Sequence, residues 1–239
     1  MEIYKINDIA ELIKDNSYVG RGIVIGKTSD GKKAVSAYFI MGRSANSRNR
    51  VFTFKDNTLY TEPFDASKVE DPSLIIYRAV RELGDKLIVT NGDQTDTIYD
   101  GLKDGKSFED ALTSREFEPD APNLTPRISG LLEFADGNFT YKMSILKSID
   151  EVGSDCARYS FSYPSISGLG HFIHTYVCDG NPIPTFQGEP ERVAIEGDIN
   201  VFADKLWNAL DENNKISLFV RYTDLVTKEK QDVIINKNK

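Results

Sequence analysis

The chain has 239 residues, 40% of them hydrophobic and 28% charged, with a formal net charge of -8. That length is ample for a buried core and fits one large domain or two small ones. The acidic balance opposes general binding to nucleic acid or an anionic membrane, because the mean field repels phosphate backbones. It leaves open one small phosphorylated ligand held by a local cluster of arginines.

Taken in chain order, Ile3, Ile6, Ile9, Leu12 and Ile13 recur at helical spacing, so residues 1–16 read as an N-terminal amphipathic helix. From Tyr18 the period becomes two. YVGRGIVIGKT and AVSAYFIMGR form a hairpin around Asp30-Gly31, and VFTFKDNTLYTE continues the sheet through a turn at Asp56-Asn57. Between them GRSANSRNR places Arg43, Arg48 and Arg50 in a polar loop of an acidic protein. Guanidinium groups presented in this way suit bidentate contact with phosphate or carboxylate, although a solvated basic loop has the same appearance.

Asp71-Pro72 supplies an N-cap and first-turn proline for a helix carrying Leu74, Ile75, Ala79, Val80 and Leu83. DKLIVTNG is a short buried strand. TDTIYDGLKDG and SFEDALTSR are two short helices, the second opened by Ser107 with Asp110 in capping-box position. After the proline-broken loop FEPDAPNLTPR comes a hairpin around Asp136-Gly137. Further strands span residues 157–186, then a helix from Asp198 with Val201, Phe202, Leu206, Ala209 and Leu210 inward, then a closing hairpin. Strand-rich blocks with few helices and no dividing linker indicate a single α+β domain over 1–239 with largely antiparallel sheets.

Two cysteines, Cys156 and Cys178, are too few for a disulfide scaffold, show no metal spacing, and read as small buried hydrophobes in strands. His171 and His174 form an HxxH, but on a strand positions three apart face opposite ways, which argues against a metal pair. No stretch approaches the ~18 apolar residues of a membrane span, and no leader is evident, so a cytoplasmic address is expected. The Asn91-Gly92-Asp93 turn after a buried strand offers free backbone N–H groups to an anion or polar ligand, or is simply a tight turn. Arg127 opens the next strand, and Glu118 stands in the loop before it.

Five segments now form an ordered set: Tyr18-Val19-Gly20-Arg21 with Gly26-Lys27, Arg43-Ser44 with Asn49-Arg50, Thr90-Asn91-Gly92 with Thr95-Asp96, Asp110-Ala111-Leu112, and Thr125-Pro126-Arg127-Ile128. In this order the chain resembles the archaeal-type IMP cyclohydrolases over about residues 18–135. The resemblance implies a four-layer αββα sandwich like that of the N-terminal-nucleophile hydrolases, without an N-terminal nucleophile. It also implies dehydrative closure of the formamidoimidazole-carboxamide ribotide to inosine monophosphate, the last step of purine synthesis, by a homo-oligomeric hydrolase of the cyclic-amidine class. Tyr77 would be the proton donor, Glu118 the general acid/base, and Asn91 would orient the amide or the oxyanion. Arg43 and Arg127 would contact phosphate or carboxamide, helped by Arg21, Ser44, Arg50, Gly92 and Asp93. No metal or organic cofactor is expected, since an intramolecular dehydration has no redox step. An amide hydrolase of the same fold, or a non-catalytic nucleotide-binding protein, remains as the alternative. Residues 1–16 and the stretch 157–195 depart from the family pattern, so the wall formed by the latter is where substrate identity is least specified.

Overall fold

The computed structural model describes residues 2–69 and 76–239. Two antiparallel sheets carry the fold. The first contains β1 (Arg21–Lys27), β2 (Lys33–Met41), β10 (Leu169–His174), β11 (Glu191–Ala194), β12 (Lys215–Asp224) and β13 (Lys230–Asn236), in the order β11-β10-β1-β2-β12-β13. The second runs in sequence order from β3 (Arg50–Lys55) through β4 (Thr58–Pro63), β5 (Tyr77–Leu83), β6 (Lys86–Thr90), β7 (Arg127–Ala135) and β8 (Asn138–Ser148) to β9 (Cys156–Pro164).

Period-two side-chain placement explains the layering. One face of the first sheet, with Val24, Phe39, Phe172 and Val220, packs on α1 (Ile9–Ile13) and α5 (Ile199–Ala209). Its other face, with Ile23, Ile25, Tyr38 and Phe219, meets Leu59, Val89, Leu132 and Met143 of the second sheet. The outer face of the second sheet, with Ile88, Leu131 and Leu146, packs on α3 (Gln94–Lys103) and α4 (Phe108–Leu112). Strands buried on both faces have no polar side to display, which is why AVSAYFIM reads as a nearly continuous apolar run. Tight turns close the hairpins where expected: Asp56 and Asn57 have φ of 49° and 57°, and Asp136 and Gly137 have 49° and 70°, the left-handed pairs that match strand twist.

Several expectations need correction. Tyr77–Leu83 is a strand, not a helix, paired with β4 and β6. Tyr77 and Ala79 point into the core while Arg78 is exposed, and two flanking strands supply hydrogen bonds that override a weak helical spacing. The proposed cap and first turn, Asp71 to Ile75, lie outside the described residues. The 50–63 hairpin belongs to the second sheet and does not extend the first. The N-terminal helix covers only Ile9–Ile13, capped by the Asp8 carboxylate on the Ala10 N–H at 2.8 Å, while Ile3 and Ile6 are exposed. Val201 is exposed on α5, and Cys178 is exposed in a loop rather than buried in a strand.

Candidate active site

Chain direction gathers one end of the sandwich into a site. The starts of β1, β3, β5 and β7, the end of β2, and the segments 118–125 and 176–183 all converge there. They enclose a cavity of about 250 Å³ lined by Tyr18, Arg21, Arg43, Ser44, Glu118 and Tyr176, with Asn46, Ser47, Asp120, Asn123, Thr125 and Ile183 completing the wall. A larger cavity of about 390 Å³ lies at the opposite end. Most of its cations are already matched by carboxylates: Arg221 to Glu82 and Asp232, Lys230 to Glu82, and Lys86 to Asp85 and Glu133, while Lys228 donates to the Leu225 carbonyl. The smaller cavity, where Arg21 Nε has no hydrogen-bond partner among the described residues, is the candidate site.

At its inner wall Arg21 Nη2 stands 3.7 Å from Glu118 Oε2, with both side chains buried. That separation is an ion pair without a hydrogen bond. Burial pushes the Glu118 carboxyl above its ordinary range, and Arg21, Arg127 and Arg50 only partly offset the cost. For Arg21, burial alone would disfavour the charge, but Glu118 and the phenols of Tyr18, Tyr176 and Tyr77 outweigh it and hold the guanidinium firmly protonated. The two directions look opposed across one pair. The guanidinium keeps its charge in either case, so the variable proton belongs to Glu118. Arg21 Nε and Arg50 Nη1 are buried with no hydrogen-bond partner among the described residues.

Arg43 is partly exposed at the mouth, donating to Asp179 at 2.5 Å and to the Gly180 carbonyl at 2.8 Å, and lies over the Tyr18 ring. Ser44 caps the short helix α2 (Ala45–Arg48), accepting from the Ser47 N–H at 3.1 Å. Arg50 is fully buried in β3 and holds that loop: Nε donates to the Ser47 carbonyl at 2.7 Å and Nη2 to its hydroxyl at 2.8 Å. Arg48 is pinned as well, to the Gly42 carbonyl and Asn214.

Tyr77 is buried beneath Arg21 and Arg50, its hydroxyl 2.6 Å from that of Tyr38. It is not among the residues lining the cavity.

The remaining expected residues form a corner behind the wall. Asn91 is fully buried; its Nδ2 donates to the Pro126 carbonyl, and its Oδ1 accepts from the Ile128 N–H and Gln94 Nε2, each at 2.9 Å. An amide so committed ties β6 to β7, and Asn91 does not line the cavity. Arg127 donates to Asp93 at 2.7 Å and to Gln94 at 2.9 Å. Asp93 also pairs with Arg115; burial would raise its carboxyl, but Arg127 and Arg115 lower it. Gly92 leaves room for this contact, since a Cβ there would lie 2.6 Å from Arg127 Nη1. Gly92, Asp93 and Arg127 do not line the cavity, but the Arg127 charge reaches Glu118 and lowers its carboxyl.

Sequence reasoning missed Tyr38, Tyr176, Thr125 as a side chain, and Asp120. Only Thr125 falls within a motif, and its side-chain role stays hidden there because partners 51 residues apart, as Thr125 and Tyr176 are, meet only after folding. His171 and His174 do face opposite sides of β10, one bonded to Tyr141 and the other stacked on Phe172. Among the described residues no group of three or more His, Cys, Asp or Glu is placed to hold a metal, and no helix is long and apolar enough to cross a membrane.

The sequence profile of the family described as IMP cyclohydrolase-like protein matches residues 18–230. The IMP cyclohydrolase of Methanococcus aeolicus is 32% identical over 165 residues, 67% of this chain and 75% of that protein. That of Methanococcus maripaludis strain C7 is 37% identical over 119 residues, 48% of this chain and 58% of its own length. That of Methanopyrus kandleri is 34% identical over 116 residues, 47% and 57% of the two chains. With the last two, the chain matches a little over half of the relative's length.

Proposed function

The chain belongs to the IMP cyclohydrolase-like protein family, and from that premise we propose that it closes 5-formamidoimidazole-4-carboxamide ribotide to inosine monophosphate with loss of water. We read its helix-flanked sheets as the αββα sandwich of the N-terminal-nucleophile hydrolases, with Arg21 rather than a nucleophile opening the first strand of the core. A cytoplasmic homo-oligomer goes with the same reading.

One observation carries the proposal: a buried carboxyl with raised proton affinity, Glu118, beside a guanidinium with an unpartnered Nε, Arg21, under a mouth that carries Arg43. The ribotide phosphate would sit at the mouth on Arg43, beside Ser44 and Ser47, exchanging the exposed Asp179 for a dianion. The base would then reach inward. Ring closure joins the carboxamide nitrogen to the formyl carbon and puts negative charge on the formyl oxygen. Arg21 Nε would donate to that oxyanion, and Glu118, whose proton affinity burial raises, would deliver a proton to it.

Both reacting groups are in one molecule, so holding them at near-attack geometry contributes a share of the acceleration on the order of 7 kcal/mol or more. Tyr77 supports this set from behind Arg21; its hydroxyl pairs with Tyr38, and burial keeps it protonated.

The test is direct. Purified protein is mixed with the formylated ribotide and the absorbance of inosine monophosphate is followed. Arg43→Ala should raise KM by about 10- to 100-fold, the worth of a charge-assisted hydrogen bond, with kcat changed much less. No closure above the uncatalysed rate overturns the proposal.

A further inference from the structure

One wall of the cavity carries a hydrogen-bonded chain that the reaction described above does not yet use. Asp120 accepts from the Thr125 backbone N–H at 2.7 Å through Oδ1, and from the Thr125 hydroxyl through Oδ2. The Thr125 hydroxyl oxygen lies 2.5 Å from the Tyr176 hydroxyl. All three residues line the cavity with Arg21 and Glu118.

Proton accounting settles the direction of this chain. A carboxylate only accepts, and a threonine hydroxyl has one proton. The Thr125 proton is given to Asp120, so Tyr176 must give its own proton to Thr125. The Tyr176 oxygen is left with lone pairs and no proton to offer, which makes it an acceptor within the cavity. A substrate group placed against it must be a donor, and the ring closure has one to place there: the carboxamide N–H that must be lost as its nitrogen attacks.

We propose that Tyr176, Thr125 and Asp120 form the proton relay that serves as general base for the carboxamide nitrogen, with Tyr176 as the residue in contact with substrate. This rests on the ring-closure reading. As the nitrogen–carbon bond forms, the carboxamide proton passes to the Tyr176 oxygen. The Tyr176 proton passes to Thr125, and the Thr125 proton to the Asp120 carboxylate. The formyl oxygen meanwhile takes a proton from Glu118. When the resulting hydroxyl leaves as water, the proton on Asp120 returns along the chain to it. Glu118, now ionised, takes the proton of the former formamide nitrogen as the carbon–nitrogen double bond forms. One water departs, and every residue ends as it began.

The local backbone holds the relay in register. Leu124, directly before Thr125, is buried with φ +47°, a left-handed conformation that branched side chains rarely adopt and that concentrates at functional sites. The Glu118 N–H donates to the Thr125 carbonyl at 2.8 Å, so the proposed acid and the middle of the base relay are held across one pinched loop. Behind Tyr176 its ring stacks on Tyr18 with centroids 5.7 Å apart. The charged or titratable groups that act on the phenol are Arg21, Asp120 and Tyr18, from β1, the loop and the segment before β1.

Thr125→Val keeps the shape of the side chain and cuts the relay without altering either end. It should lower kcat about 100-fold, in the range of a lost general base, with KM little changed. The solvent deuterium isotope effect on kcat, carried by the protons in flight, should fall toward one. Thr125→Ser restores the hydroxyl and should recover most of the loss, which a purely structural role for the methyl group would not allow. Tyr176→Phe combined with Thr125→Val should be no slower than either alone, since both cut one chain.

If wild-type protein closes the ribotide and Thr125→Val retains its kcat and isotope effect, the relay is overturned and the reaction stands. If the wild type does not close the ribotide, the reaction and the relay fall together.

Discussion

Replacing Gly20 with alanine tests how the cavity wall is built. Gly20 has φ +77°, and a Cβ there would lie 2.1 Å from Thr175 Oγ1 and 2.6 Å from the Tyr176 ring. Two costs add. Holding a residue with a Cβ in the left-handed region costs about 1–2 kcal/mol. The overlap is relieved only if Thr175 turns away, and its hydroxyl oxygen accepts the Arg21 backbone N–H at 3.1 Å in a fully buried setting. A buried donor stripped of its partner costs about 1–3 kcal/mol more. The total of about 2–5 kcal/mol is a large part of the 5–15 kcal/mol that stabilises a domain. Urea unfolding should show a lower midpoint at unchanged slope, the signature of lost stability rather than altered compactness. Gly84→Ala is the control, because Gly84 has φ +57° and a Cβ there would meet nothing within 4 Å. It should show the first cost alone, leaving a difference of about 1–3 kcal/mol between the two variants. Equal destabilisation would refute the argument that close approach to Thr175 and Tyr176 is what requires glycine at position 20.

Glu118→Gln should slow closure by about 10²- to 10⁴-fold, measured by the appearance of inosine monophosphate. Its stability should run the other way. Burial raises the folded carboxyl above its unfolded value, so the native state binds more protons between the two, and wild-type stability is lost as pH rises through that window. The glutamine variant lacks this loss and should be at least as stable as the wild type above the window in parallel melts. Asn91→Ala strands the Ile128 N–H, the Pro126 carbonyl and Gln94. At about 1–3 kcal/mol for each stranded group it should destabilise by several kcal/mol in denaturant melts, with activity lost through unfolding rather than chemistry. His171 and His174 are buried neutral, with burial lowering each from 6.5 to about 4. The unfolded state takes up protons that the native state refuses, so up to about 3 kcal/mol of stability per histidine should vanish as pH falls from 6.5 to about 4, in acid-titration melts; a flat profile there would count against their burial.

Much of the site was legible as residue types and little of it as geometry. Arg21, Arg43 and Ser44 from the ordered motif series line one cavity together with Glu118 from the loop before β7. Arg50, Asn91 and Arg127 carry the same motifs yet stand behind the wall, because a motif records that a residue is needed and not which way it faces. Tyr77 shows the limit most clearly. Helical spacing from Leu74 to Leu83 competed with the alternation of Tyr77, Arg78 and Ala79, and pairing with β4 and β6 decided for the strand.

By itself the sequence determined the local hairpins, the helix starts at Ser107 and Asp198, and the acidic background against which the arginines stand out. These depend on residues a few positions apart: left-handed turn pairs, a side-chain oxygen meeting an N–H two or three residues on, and alternation along one strand. Which sheet each hairpin joins, which arginines keep free donors, and that Asp120, Thr125 and Tyr176 form one chain were decided only by tertiary structure. The reason is physical. Hydrogen-bond direction and the cost of burying a charge depend on what surrounds a group, and those surroundings come from segments that are far apart until the sheets close on one another.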